Sequence, residues 1–264
     1  MDLQLVGRRA LVTGSSSGLG EAIARRLAAE GAAVVVHGRD RTRTAAVARS
    51  IREDGGIAGI AIGDLATDAG AGEVQAAAVE DGPIDILVNN AGIYDPAARW
   101  GETPPEAWAE MYNVNVIASV RMVQRLLPGM RERGWGRVIQ ISSVTGHRPT
   151  ASQPHYAATN AARNNLATSL ARELKHSGVT SNAVAAGGIL TPAALDFVVG
   201  AGKARGWGET WAEIEPKAVA LAPNDVGHIA RPDEYANLVA FLAGPAAGYI
   251  NGTTLHIDGG SYDV

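Results

Sequence analysis

Between an apolar run, Ala10 to Val12, and a helical pattern, Glu21 to Glu30, lies the turn Thr13-Gly14-Ser15-Ser16-Ser17-Gly18-Leu19-Gly20. A buried strand feeding a glycine turn and then a helix N-terminus makes an anion site. Backbone N–H groups point outward there, and the helix dipole favours a phosphate. Glycine serves where the backbone must turn sharply or admit a ligand that a Cβ would exclude. The spacing Gly-x-x-x-Gly-x-Gly is a variant of the dinucleotide fingerprint. Gly14, Ser16, Ser17, Gly18, Leu19 and Gly20 are therefore candidate cofactor-binding residues. Gly14-x-Ser16-x-Gly18 also matches the nucleophile elbow of serine hydrolases, and a glycine turn with no ligand is a third reading.

Further along, Ser143 follows the apolar stretch Arg137 to Ile141, and Tyr156 opens a long helical pattern. A serine and a tyrosine facing one pocket suit carbonyl chemistry: one holds the substrate oxygen, the other passes it a proton. Gly38-Arg39 stands where an acidic residue would bind the ribose 2′-hydroxyl of NAD. Glycine leaves space and Arg39 can pair with a 2′-phosphate, which favours NADP(H) while leaving NAD(H) open. The bland alternative is a solvated charge cluster, His37 to Arg43. Asp64 suits the adenine edge. Asn89 and Asn90 either lock the sheet, touch the adenosine ribose, or serve as strand-end turn residues. The six histidines show no ligand spacing, so no metal site is expected.

The chain that must position these groups has 264 residues, enough for one large α/β domain with ample core. Its net charge of −4 and the lack of a dense Lys/Arg run argue against nucleic acid or an anionic membrane as partner. The absence of cysteine removes disulfide and thiolate chemistry and suits a reducing cytosol. Met1 to Gln4 lacks the features of a signal peptide, and no apolar run approaches the roughly 20 residues of a membrane span. A soluble, cytoplasmic protein is expected.

Ala32–Val36 is a continuous apolar run of the kind that marks a buried parallel strand, and Ile57–Ile62, Ile84–Val88, Arg137–Ile141, Val179–Ala185 and Thr254–Ile257 also read as strands. Helical patterns alternate with them at Thr44–Asp54, Ala71–Glu80, Pro105–Leu127 (stopped by Pro128), His155–His176 and Glu234–Ala243. Such βαβ alternation predicts an α/β fold: one Rossmann-type, doubly wound parallel sheet with helices on both faces, spanning residues 1–264. The stretch 188–232 breaks the alternation and reads as a substrate-covering lid, with Phe197, Trp207 and Trp211 as an apolar wall or as anchors to the body.

Thr13-Gly14-x-x-x-Gly18-x-Gly20, Asp64, Asn89-Asn90-Ala91-Gly92, Asn115, Ser143 and Tyr156 fall in one order and spacing. Gly187, Thr191-Pro192 and Asp258-Gly259-Gly260 extend the set. The chain thereby resembles the short-chain dehydrogenase/reductase family over nearly its whole length. The resemblance implies a sheet of about seven strands, a nicotinamide cofactor and a homotetramer or homodimer. It implies that Tyr156 is the general acid/base, that Ser143 orients the carbonyl, and that Asn115 holds a proton-relay water. Thr191 would touch the nicotinamide carboxamide, and Leu65, Asn90, Ala91, Gly92, Gly187 and Ile189 would complete the cofactor site.

One position departs. The family's Tyr-x-x-x-Lys is here Tyr156-Ala-Ala-Thr-Asn160. Asn160 shares the helix face of Tyr156 and can hydrogen-bond a ribose hydroxyl, but brings no charge. The loss penalises alcohol oxidation more than ketone reduction, since a protonated tyrosine remains a usable acid. Arg163, His155, His147 and Arg148 are alternative cations, with Arg163 expected to be solvated or at a subunit contact. A smaller departure is Ala186-Gly187 in place of Pro-Gly. The expected function is an NADP(H)-preferring reductase of a ketone or related carbonyl or imine in a small, possibly cyclic substrate. The alternatives are a redox-silent cofactor-binding homologue and a family-fold enzyme doing non-redox acid/base chemistry.

Overall fold

A computed structural model describes residues 2–221 and 223–261; Met1, the lid's Ala222 and residues 262–264 lie outside it. Seven parallel strands are β1 (Arg9–Val12), β2 (Ala33–Gly38), β3 (Ile57–Ile62), β4 (Ile86–Asn89), β5 (Gly136–Ser143), β6 (Val179–Ala186) and β7 (Thr254–Ile257). They lie in the order β3-β2-β1-β4-β5-β6-β7. The order reverses at β1, between β2 and β4, which is where an open α/β sheet leaves a crevice for a ligand. Val12 is level with both Val36 and Val88, so the loops after β1, β2 and β4 emerge side by side.

The central strands are buried on both faces because helices cover both sides of the sheet. Val12, Val34, Val36 and Val88 point into one core with Ile23, Leu27, Tyr235 and Val239. Leu11, Val35 and Leu87 point into the other with Val74, Met122, Leu126 and Met130. Helices α1 (Gly18–Ala29), α2 (Arg41–Glu53) and α9 (Pro232–Ala243) supply the first core, and α3 (Asp68–Val79) belongs to the second.

The expected helix from Pro105 to Leu127 is two helices, α4 (Pro105–Tyr112) and α5 (Ala118–Glu132), joined by a π-helical turn at Asn113–Ile117. Pro128 does not stop α5, because Met122, Leu126 and Met130 anchor its buried face on both sides of the proline. α6 (Pro154–Glu173) begins after Gln153, whose φ of +55° is a left-handed conformation costly for a side chain with a Cβ. The predicted lid contains α7 (Pro192–Ala204) and α8 (Trp211–Leu221), packed so closely that a Cβ on Gly202 would lie 2.7 Å from Ile214.

Candidate active site

Two abutting cavities of about 670 and 310 Å³ open at the carboxyl ends of the strands. Gly14, Ser16, Arg39, Asp64, Leu65 and Ala91 line the smaller, and Gly18, Leu19, Gly20, Asn115, Ser143, Tyr156, Gly187, Ile189 and Thr191 the larger. Ser17, Asn90 and Gly92 line both.

The glycine turn is shaped by backbone packing. A Cβ on Gly20 would lie 2.4 Å from the Gly14 carbonyl oxygen, and one on Gly14 (φ +66°) 2.9 Å from Ala91 Cα. Thr13 Oγ1 accepts the N–H groups of Asn90 and Ala91 at 2.9 and 3.0 Å. Asn90 Nδ2 donates to the carbonyls of Thr13 and Gly14, so this amide locks the turn to β4. Ser17 makes no side-chain cap on α1, which leaves the first N–H groups of the helix for a ligand in the cleft. Glu21, in that first turn, is gripped by Arg25 at 2.8 and 2.9 Å. The unfilled helix end and the glycine cradle fit a dinucleotide diphosphate.

His37 is a member of the turn that sequence alone placed in a charge cluster. It is buried, its Nδ1 accepts from Gly14 N at 2.9 Å, and its Nε2 faces the Gly63 carbonyl at 3.2 Å. Burial lowers its pKa to about 4, outweighing the hydrogen bond it donates to the Gly63 carbonyl and the charge of Asp64. His37 is thus a neutral strut between the glycine turn and the end of β3. With both ring nitrogens facing backbone groups, the imidazole is not placed to serve Ser16 as a base. Beside it, a side chain on Gly38 would collide with Ser16 Oγ at 2.7 Å. Arg39 is exposed, while Arg43 bonds Asp40 at 3.1 Å and lines both cavities.

At the other end, Ser143 Oγ accepts from Thr145 N (3.2 Å) and Thr145 Oγ1 (3.0 Å), which leaves its own proton free to be donated. Tyr156 lies in the first turn of α6, its ring against Tyr94 with centroids 5.9 Å apart. Among the described residues nothing hydrogen-bonds its hydroxyl. Asn115 sits in the π-helical turn, where its Oδ1 accepts from Ile93 N at 2.8 Å and its Nδ2 donates to Ile93 O at 2.9 Å. Its side chain is therefore spent on holding the loop after β4.

The family model for short chain dehydrogenases matches residues 8–198. The chain belongs to the short-chain dehydrogenase/reductase family. It is 36% identical over 266 residues to the uncharacterized oxidoreductase YvaG of Bacillus subtilis, covering 98% of each chain. It is also 36% identical over 267 residues to the 3-oxoacyl-[acyl-carrier-protein] reductase FabG of Vibrio harveyi, covering 99% of this chain and 100% of that one. The crystal structure of L-sorbose reductase from Gluconobacter frateurii, complexed with NADPH and L-sorbose, superposes with a TM-score of 0.91 at 34% identity, covering 98% of each chain. The protein is thus a short-chain, NAD(P)-dependent oxidoreductase.

In this short-chain dehydrogenase/reductase, residue 160 does not reach the cleft. Asn160 is 3% exposed and turns its Nδ2 back along α6 to the Tyr156 carbonyl at 2.9 Å. Arg163 lines the cavity instead. The expectation of a solvated Arg163 is corrected: it is 5% exposed, and donates from Nε to Asn115 O at 2.6 Å, from Nη1 to Ile141 O at 2.5 Å and from Nη2 to Ala91 O. The other possible cations are occupied elsewhere. His155 packs on Trp108 with centroids 5.8 Å apart, His147 meets His256 edge-on, and Arg148 bonds Ser261 O at 2.7 Å.

The aromatic wall expected of the lid is not at the cleft. Phe197 is 76% exposed, Trp207 stacks under Arg205, and Trp211 lines a separate small cavity with Leu190 and His228. The lid contributes Ile189, Thr191, Pro192 and Ala193, and the aromatic beside Tyr156 is Tyr94. Tyr94 and Arg43 were missed by motif reading as site residues; Tyr94 was signalled only by its place two residues after Asn89-Asn90-Ala91-Gly92. Among the described residues no cluster suited to a metal is present.

Proposed function

We propose that this protein is an NADP(H)-preferring reductase of a ketone, or a related carbonyl or imine, in a small and possibly cyclic molecule. The observation that carries this reading is the Ser143–Tyr156 hydroxyl pair in one cavity with the uncapped N-terminus of α1. Gly14, Ser16, Ser17 and Gly18 to Gly20 would hold the diphosphate, and Asp64, Leu65, Asn90, Ala91 and Gly92 the adenosine. Ile189 and Thr191 would hold the carboxamide end, and Arg39 the 2′-phosphate. Bound there, the nicotinamide supplies a hydride. Ser143 donates a hydrogen bond to the acceptor oxygen, and Tyr156 delivers its proton to that oxygen as negative charge develops. Tyr94 covers the tyrosine and limits water. The NADPH complex of L-sorbose reductase supports the choice of cofactor.

The same reading makes the protein a cytoplasmic homotetramer or homodimer, with no nucleic acid or membrane partner. The charge balance supports it, and no described helix is long and apolar enough to cross a membrane. The test is fluorescence titration of the protein with NADPH and NADH, then a ketone panel followed by NADPH consumption. Tighter binding of NADPH and turnover of a ketone are expected. Failure to bind either nucleotide would overturn the reading. Binding without redox turnover would point to the redox-silent homologue, and turnover without NADPH consumption to acid/base chemistry alone.

A further inference from the structure

Arg163 is a buried cation without a counterion: among the described residues no carboxylate pairs with it. Removing a guanidinium from water costs several kcal/mol unless its donors are met. Three are met, each by a main-chain carbonyl at the floor of the cleft: Ala91 after β4, Asn115 in the π-helical turn, and Ile141 near the end of β5. Carbonyls satisfy the hydrogens but leave the positive charge unpaired. The turn that supplies Asn115 is wound in π register, with Ala118 N bonded five residues back to Asn113 O. Such register shifts present carbonyls to partners outside the helix, and they recur at functional sites. Gly92 passes close by, where a Cβ would lie 3.5 Å from Arg163 Nη2 and 3.2 Å from Asn115 Oδ1.

Arg163 and Tyr156 line the same cavity from one face of α6, two turns apart. A lysine at position 160 would stand one turn from Arg163, and two buried like charges at that spacing repel. The neutral, inward-turned Asn160 and the buried Arg163 are therefore one arrangement, in which the cation sits three residues further along the helix. We propose that Arg163 is the fixed cation of this active site, a positioning residue that holds the floor of the cleft and sets the proton affinity of Tyr156. Burial draws the guanidinium down and the Tyr156 charge acts in the opposite sense, and an arginine keeps its proton across the range in which a tyrosine titrates. The other ionisable groups around the tyrosine are less well placed. Tyr94 faces it; Glu21 and Arg43 line the far, phosphate end of the cavity; His155, His147 and Arg148 face away.

The purpose of this cation rests on the reductase reading, but its test does not need a substrate. The alkaline absorbance transition of Tyr156 is isolated by difference from Tyr156→Phe, in free and NADPH-saturated protein. Arg163→Met is expected to move that midpoint up by about one pH unit, while Arg163→Lys, which keeps a charge, moves it by less than about half a unit. A folded Arg163→Met protein with an unmoved midpoint would overturn the proposal. Should Arg163→Met fail to fold, Arg163→Gln decides, since its amide can still donate to the carbonyls but carries no charge. A rise of about one pH unit is expected, and an unmoved midpoint would overturn the proposal. Failure of the wild-type protein to bind NADPH would sink the reductase reading, while the titration in free protein would still decide the role of Arg163.

Discussion

Arg163 Nε donates to the Asn115 carbonyl at 2.6 Å across 48 residues of chain, tying α6 to the π-helical turn before α5. The same turn holds the loop after β4 through Asn115 Oδ1 and Nδ2. The floor of the cleft, α6 and the loop after β4 are thus joined at one buried point. In the family pattern the charge belongs to residue 160; here it comes up from beneath.

Asn160 should be nearly silent toward the cofactor. Its amide makes one hydrogen bond, to the Tyr156 carbonyl within its own helix. Asn160→Ala is expected to cost about 1 kcal/mol of stability, a fall of about 2–4 °C in Tm for a protein of this size. The NADPH dissociation constant should change less than about threefold, well under the 1.4 kcal/mol that a tenfold change represents. Thermal unfolding and fluorescence titration measure both. A tenfold loss of affinity would mean that the amide reaches the ribose after all.

The strands and the glycine turn were legible because short apolar stretches such as Ala33–Val36 alternate with helical patterns, and because the turn needs glycine at Gly14, Gly18 and Gly20 for steric reasons that no other residue meets. Arg163 was legible as a possible cation on the Tyr156 face, but its burial was not. The leucines at 166, 170 and 174 mark an apolar stripe further along the helix, and the carbonyls that receive the guanidinium belong to β5, the π-helical turn and the loop after β4, 22, 48 and 72 residues away. A π register likewise leaves no residue signature at 113–117. The tryptophans left two readings open for a related reason: their bulk announces burial without saying against what, and Trp207 stacks on Arg205 while Trp211 lines a separate small cavity.

Acid should destabilise the protein through His37. Its folded pKa, about 4, lies below the ordinary 6.5, so the unfolded chain takes up the proton first. Above 6.5 neither state is protonated and nothing is lost. As pH falls from 6.5 toward 4, stability drops with it, by about 2 kcal/mol at pH 4.5. His37→Gln can still accept from Gly14 N and donate to Gly63 O but does not titrate. Urea unfolding at pH 7 and pH 4.5 should show a larger loss in wild type than in this variant. Equal losses would assign the acid sensitivity to other groups.

Gly20→Ala should abolish cofactor binding with modest harm to the fold. The added Cβ meets the Gly14 carbonyl at 2.4 Å and Asn90 Nδ2 at 2.5 Å, both in the turn itself. Relief requires the turn to open, which costs about 1–3 kcal/mol and moves the N–H groups out of register. An NADPH affinity loss of a hundredfold or so is expected, since that cost and the lost helix-end contacts both fall on the bound state. Gly101→Ala, with open space around its Cβ, is the matched control. Unchanged affinity in Gly20→Ala would remove the diphosphate from this turn.

Cofactor preference should follow Arg39 and, to a lesser degree, Arg43. Arg39 is exposed at the end of β2 and free of carboxylate bonds among the described residues, whereas Arg43 already shares its charge with Asp40 at 3.1 Å. The helix cap at Asp40, which accepts from Arg43 N, holds Arg43 near the junction of the two cavities. Arg39→Ala is therefore expected to weaken NADPH about tenfold or more, with NADH little changed, because only NADPH carries the phosphate for a charge-assisted bond. Arg43→Ala should weaken NADPH less, as freeing Asp40 adds a negative charge but removes a cation that was half spent. Raising the salt concentration should narrow the gap between NADPH and NADH in the wild type, since these arginines are solvated and screened. If the two nucleotides weaken equally in Arg39→Ala, the 2′-phosphate is read elsewhere, and Arg43 with Ser16 becomes the pair to remove next.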